Sequence, residues 1–429
     1  MIDGYGGRVI AHPGLRFIDH TVTVPLDHRR PDGPTIEVFA REVVADDRAT
    51  DDLPWLLFLQ GGPGGKGPRP LRAEGWIGHA VRTHRVLLLD QRGTGRSTPV
   101  TARTVRGMPD AELAAYLKHF RADSIVADAE ILRAKLTGGA PWDTLGQSYG
   151  GFITLHYLCV APQALRTCYV TGGLPGLDLL ADDVYAITYP LVAARNAEFY
   201  QAFPDDAALV RRIADHLTEH DVRLPDGDRL TVNRLRLLGT MFGGSTGYAQ
   251  LHWMLDEAWH GDELSDTFRH EVLRVTGFVD VPLFALQEYT YGRGAPATSW
   301  AADRAIKNYP EFAADADPLL FTGEMMYPWM FQEIAALRPF AGAADILAAT
   351  DDWPSLYDTA RLAANQVPIF AAVYADDMYV PAELSLRAAP TIGNLHIWVT
   401  ADYEHDGLRV AGETILDHLM GMAASGRAR

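Results

Sequence analysis

Gly146-Gln147-Ser148-Tyr149-Gly150-Gly151 stands between the strand-like segment Asp143–Leu145 and the apolar, helix-like segment Gly151–Val160. A G-x-S-x-G pattern between a strand and a helix reads as a nucleophile elbow: the serine sits on a sharp turn, and the flanking glycines admit backbone geometry and close packing that larger side chains would obstruct. This makes Ser148 the candidate covalent catalyst. The same turn places the Tyr149 N–H where it can face a developing oxyanion.

Working outward, segments rich in β-branched and apolar residues predict strands at Phe17–Pro25, Thr35–Val44, Trp55–Leu59, Arg85–Asp90, Leu165–Thr171, Val367–Tyr374 and Leu395–Thr400. Ser124–Leu136 carries Ile125, Ala129, Leu132 and Leu136 at helical spacing, with Asp123 or Ser124 available as N-cap. Alternation of strands and helices predicts an α/β fold with a mostly parallel central sheet flanked by helices. The first two strands, with no helix between them, read as an antiparallel edge hairpin. After Gly172-Gly173-Leu174-Pro175-Gly176 the chain becomes rich in aromatic residues and helix formers, with few strand signals up to Ala364. The expected organisation is therefore a core from 1–175 and 365–429, interrupted by a helical cap inserted at 176–364. A terminal helix is expected from Leu408 to Met422, with Asp406 and Gly407 at its start.

A serine hydroxyl needs a base to take its proton, and the base needs an acid to fix its tautomer. In folds of this class these follow in the order serine, acid, histidine. Asp376-Asp377 follows the strand-like Pro368–Tyr374, and His405, one of fifteen histidines, follows the strand-like Leu395–Thr400. Both would project from the sheet's C-terminal edge, where ligands bind in open α/β folds. A second glycine-rich turn, Gln60-Gly61-Gly62-Pro63-Gly64-Gly65, ends the strand Trp55–Leu59 and lacks the Gly-Lys-Ser/Thr close of a phosphate loop. Asp90-Gln91-Arg92-Gly93-Thr94-Gly95-Arg96-Ser97 likewise does not fit a dinucleotide fingerprint. Asp90 and Arg92 are expected to hold that turn near the glycine-rich loop.

The 429-residue chain has a formal net charge of −17 with its charges well mixed, which argues against a nucleic-acid surface and against anionic membranes. Cys159 and Cys168 form no metal-like spacing and read as buried small hydrophobes. The N-terminal residues 1–8 show no basic region with a continuous apolar core, and no later stretch supplies a membrane span, so the expected address is the cytoplasm.

Together the glycine-rich turn at Gln60–Gly65, the Asp90–Ser97 turn, the elbow and the late Asp377/His405 pair resemble the prolyl aminopeptidase (proline iminopeptidase) family of α/β-hydrolases in its longer form. Cap segments Gly247–Leu255, Leu286-Gln287-Glu288 and Phe321–Phe331 share the resemblance, which spans nearly the whole chain. It implies a serine aminopeptidase that needs no metal or organic cofactor and acts on peptides with N-terminal proline. Ser148 would be the nucleophile, His405 the general base and acid, and Asp377 the orienting acid. Asp377 is preferred to Asp376 because the family's acid stands four residues before a proline, as Asp377 does before Pro381. The N–H groups of Gly62 and Tyr149 would form the oxyanion hole. The family usually has histidine where this chain has Gln60. Glu288 and Glu324, each among apolar or aromatic neighbours, are candidates for binding the substrate's cationic amine. Phe321 and Tyr327, with Trp253 and Trp329, are candidates for a pyrrolidine pocket. The competing reading within the fold is an esterase, amidase or carbon–carbon bond hydrolase.

Overall fold

The computed structural model describes residues 9–292 and 296–427, so the N-terminal segment 1–8 read above lies outside the described residues. A nine-stranded sheet organises the chain: β1 (Val9–His12), β2 (Leu15–Pro25), β3 (Thr35–Ala45), β4 (Trp55–Leu59), β5 (Arg85–Leu89), β6 (Trp142–Gln147), β7 (Leu165–Thr171), β8 (Ile369–Tyr374) and β9 (Leu395–Thr400). Across the sheet they lie in the order β1-β2-β3-β5-β4-β6-β7-β8-β9. β1, β2 and β3 pair antiparallel, β3 pairs antiparallel with β5, and every pairing beyond β5 is parallel.

Burial follows from this pairing. β2 alternates buried and more accessible positions, as an antiparallel strand with one wet face should. β4 and β5 are buried almost continuously because both faces are covered. Within β4 the period of two assigns faces: Leu56 and Phe58 pack with Trp76, Leu416 and Leu419 on one side of the sheet. Leu57 and Leu59 pack on the other side with Leu132 of helix Ala122–Thr137 and Ile153 of helix Tyr149–Val160.

Several local expectations change. β1 pairs with the outer side of β2, so the early hairpin is not the sheet's last edge. Four residues are too few to display alternation in the sequence. Helix Ala122–Thr137 begins at Arg121 without a side-chain cap, and the Asp123 carboxylate instead accepts from the Ser124 N–H. The C-terminal helix is broken into Gly407–Val410 and Gly412–Arg427. At the break, a Cβ on Gly412 would stand 2.9 Å from the Trp76 backbone nitrogen.

Between β7 and β8 the chain adds no strand to this sheet; it forms helices from Ala181–Ala202 onward around a separate apolar core that includes Phe199, Phe242 and Phe321. No helix among the described residues is long and apolar enough to cross a membrane.

Candidate active site

The chain runs from β4 to β5 on one side and returns to β6 on the other. This makes the C-terminal ends of β4 and β6 a topological switch point, where the crevice of an open α/β sheet lies. The glycine-rich turn leaves β4 there, and Ser148 leaves β6. Ser148 has φ 54° and ψ −124°, a conformation that costs on the order of 1–3 kcal/mol for a non-glycine residue. Packing enforces it. A Cβ on Gly150 would stand 1.9 Å from the Leu59 carbonyl oxygen, and one on Gly146 would stand 2.4 Å from that of Gly150. The Ser148 N–H donates to the Thr171 carbonyl of β7 at 2.9 Å, which fixes the turn between two strand ends. On the other side a Cβ at Gly61 would meet the Ser148 Cβ at 2.7 Å, so the backbone leading to Gly62 lies directly against the serine.

His405 and Asp377 arrive from the loops after β9 and β8. His405 Nδ1 lies 2.6 Å from Asp377 Oδ2, while Asp377 Oδ1 accepts the backbone N–H groups of Tyr379 and Val380 at 2.8 and 2.9 Å. Asp376 is exposed and does not join this pair. The other imidazole nitrogen, Nε2, lies 3.5 Å from the Gln147 side-chain amide, beside the elbow. Burial pulls the His405 pKa down. The Asp377 charge and hydrogen bond, with Glu324 and Asp406, more than reverse this, so the imidazole holds its proton above its ordinary range. A serine on a strained turn beside a histidine–carboxylate pair has the parts for acyl transfer.

The two candidate glutamates separate. Glu288 is deeply buried, and its two oxygens accept the Ala301 and Ala302 N–H groups at 3.0 and 2.9 Å. Burial still pushes its pKa up to about 7 against those bonds. This carboxylate caps the helix Ala301–Ala305 and is committed to backbone. Glu324 is half-buried, keeping an accessible edge while neighbouring groups strip most of its solvent. Desolvation and the Asp377 charge push its pKa up to about 7, opposed by His405 and a hydrogen bond from Gln287. Among the described residues neither glutamate has an arginine or lysine ion-pair partner.

The aromatic candidates sit mostly in packed surroundings. Phe321 is fully buried against Phe199, Tyr200 and Phe242, and Tyr327 bonds through its hydroxyl to Tyr189 at 2.9 Å. Both belong to the core of the helical segment, where the sequence offers no way to tell a packed ring from a pocket wall. Trp253 is 62% exposed, and Trp329 lines a separate cavity with Tyr327. Asp90 behaves as expected, accepting from the Gly67 and Arg96 N–H groups and from Arg69. Arg92 instead turns away to Asp128 and to the Pro25, Leu26 and His119 carbonyls. It ties the turn to the helix Ala122–Thr137 and to the end of β2.

A cavity of about 840 Å³ opens beside His405, floored by Gln60 and Gln147 and walled by Trp76, Met241 and Tyr379. The Tyr379 ring meets the His405 imidazole edge-on at 4.9 Å. Tyr379, Gln147 and Gln287 were not singled out from the sequence, although each lies within two residues of a residue that was. Among the described residues no cluster of His, Cys, Asp and Glu is arranged to hold a metal.

Sheet order, elbow and the pair His405–Asp377 define a serine hydrolase of the α/β-hydrolase fold, and the alpha/beta hydrolase fold family profile matches residues 54–222. The chain is 46% identical to a proline iminopeptidase of Aeromonas sobria over 95% of its own length and 96% of that protein. It is 33% identical to a proline iminopeptidase of Aspergillus aculeatus over 93% and 92%. A solved protein of Mycobacterium tuberculosis aligns at 15% identity with TM-score 0.44, covering 95% of this chain and 99% of that one. The chain belongs to the proline iminopeptidase family.

Proposed function

We propose that this chain is a serine aminopeptidase that releases N-terminal proline from peptides. Ser148 attacks the prolyl carbonyl, His405 accepts its proton, and Asp377 holds the imidazole tautomer and balances its charge. The Gly62 and Tyr149 N–H groups receive the oxyanion; losing one such donor costs about 10²–10³ in turnover. His405 then protonates the departing amine, the shortened peptide leaves, and water, activated by the same imidazole, hydrolyses the prolyl ester. The scheme needs neither metal nor organic cofactor.

The observation that carries the specificity is Glu324, a carboxylate set beside His405 and Asp377 with no arginine or lysine partner among the described residues. A substrate's prolyl ammonium is the partner that would let it ionise. The cavity beside His405, about 840 Å³ and lined by Gln60, Gln147 and Tyr379, has room for the rest of the peptide. We assign 1–175 and 365–429 to the hydrolase core and 176–364 to a cap that encloses the proline. The names of the two relatives support this substrate. Two buried free cysteines suit a reducing cytoplasm.

The test compares Pro-β-naphthylamide, its N-acyl analogue and a short p-nitrophenyl ester, with wild type and Ser148→Ala. Ser148-dependent cleavage of only the unblocked prolyl amide is expected. Ester cleavage without prolyl-amide cleavage would keep the serine hydrolase and overturn the aminopeptidase.

A further inference from the structure

The loops that carry Asp377 and His405 are held from the helical segment as much as from the sheet. Arg195, on helix Ala181–Ala202, is largely buried and reaches both loops with one guanidinium. Its Nη2 donates to the Asp376 carbonyl and, at 2.7 Å, to the Glu404 carboxylate. Its Nη1 donates to Glu198 at 2.8 Å, and Glu198 in turn accepts the Tyr248 hydroxyl at 2.7 Å. Asp376 directly precedes Asp377, and Glu404 directly precedes His405. The far side of His405 is held too: the Ser245 N–H and hydroxyl both donate to Asp406 Oδ1, at 3.0 and 2.6 Å. The Tyr379 hydroxyl donates to the Thr240 carbonyl.

We infer that Arg195 is a positioning residue that sets Asp377 and His405 in register, so that docking of the helical segment completes the acid–base pair of the core. This rests on the reading of Ser148, His405 and Asp377 as the catalytic set. A multiply bonded guanidinium suits the task because its rigid planar fork holds Nη1 on Glu198 of its own helix while Nη2 reaches both loops, so the bond to the helix fixes where the loops are held. Misplacing a catalytic group by about 1 Å can cost about 10²-fold in rate.

The experiment measures kcat and KM for Pro-β-naphthylamide, and the rate of Ser148 labelling by a fluorophosphonate, in Arg195→Met, Arg195→Lys, Glu404→Gln and the double variant Arg195→Met/Glu404→Gln. Melting temperatures are recorded alongside. Arg195→Met should lower kcat about ten- to hundredfold, lower the labelling rate in parallel, and leave KM within about threefold. Arg195→Lys should recover part of the loss. Because Glu404 acts through the same guanidinium, the double variant should be no worse than Arg195→Met alone. A folded Arg195→Met with unchanged kcat and labelling rate, or with KM alone altered, overturns the inference. If Arg195→Met does not fold, Glu404→Gln decides: lowered kcat and labelling at constant KM support the inference, and no change in either overturns it. Labelling needs no prolyl recognition, so a wild type that labels rapidly but ignores prolyl amides refutes the proposed specificity while Arg195 is still tested.

Discussion

The sheet edge and the inserted helices treat buried carboxylates differently. Asp377, at the end of β8, accepts two backbone N–H groups with one oxygen and faces His405 with the other, so the main chain aims it. Glu288 and Glu324 share a desolvated setting in the helical segment, and burial pushes both to about 7, yet one is consumed by backbone and the other is left facing the site. At the sheet edge, topology states what a residue can do. Among the helices, packing decides, and like residues diverge.

The comparison is tested most sharply at the sheet edge. Asp377→Asn keeps the shape and the two backbone bonds but can present the wrong group to His405 Nδ1. It should lower kcat by about 10⁴-fold with the fold intact. Steady-state turnover with circular dichroism checks this. A loss below tenfold would mean that the main-chain cradle, rather than the charge, is what matters at this position.

The two glutamates should then part in opposite directions. Glu324→Gln should lower kcat/KM for unblocked prolyl substrates about 10²-fold, the scale on which a buried charge-assisted contact is lost, and leave the melting temperature nearly unchanged. Glu288→Gln should do the reverse. The amide has one acceptor oxygen for two backbone donors, so about 1–3 kcal/mol of stability goes while kcat/KM stays within about threefold. Urea unfolding and initial rates on both variants read the two effects separately. Equal effects on activity would erase the distinction.

The pH dependence sharpens it further. On the proposed mechanism productive binding needs Glu324 ionised and His405 neutral, and both pKa values are raised, Glu324 to about 7. The acid limb of kcat/KM should therefore rise as two protons leave the coupled pair, with a logarithmic slope approaching two below neutrality. In Glu324→Gln the slope should fall to one. Stability moves the other way at Glu288: its folded pKa of about 7 exceeds the ordinary 4.5, so the contribution is complete below about pH 4.5 and is lost as pH rises through 7. The stability gap between wild type and Glu288→Gln should accordingly be wider at pH 5 than at pH 8.

These contrasts explain what the sequence could disclose. β4, β5 and β8 were legible because strands buried on both faces read as nearly continuous apolar runs; β6 was marked instead by the G-x-S-x-G turn that ends it, and the more accessible edge strand β9 by its β-branched and aromatic residues. Ser148, Asp377 and His405 were legible because each follows such a strand. β1 was too short to show a period. The helix broken at Ala411 depends on the close approach of Gly412 to the Trp76 backbone, a contact between residues far apart in the chain. For Phe321 and Tyr327 the sequence leaves the choice open, because aromatic residues beside an acid look alike whether they face a ligand or one another; in the structure both are buried among the helices. Glu288 could not be told from Glu324 until Ala301 and Ala302 were seen to occupy it. Arg195 carries no local signal of this role: its neighbour Glu198 makes an ordinary i,i+3 helix pair, and the two loops it reaches lie 181 and 209 residues further on.

The smallest effect is expected at Gln60, where the family resemblance leads to the expectation of histidine. Its side chain reaches the cavity floor, but the turn that carries Gly61 and Gly62 is held through the main chain: Gln91 Nε2 donates to the Gln60 carbonyl at 2.7 Å. Gly65 packs so closely that a Cβ there would stand 2.8 Å from Gln60 Cγ, which constrains the stem of the side chain more than its tip. A histidine shares that stem, so Gln60→His should change kcat/KM by no more than about threefold, within the range of a substitution that leaves every backbone contact in place. Gln91→Ala removes the donor that fixes the Gln60 carbonyl, and should cost more by loosening the path to the Gly62 N–H. If Gln60→His proved the more damaging of the two, the turn would be set by its side chain, and the oxyanion donor would depend on residue 60 rather than on the strand end that Gln91 braces.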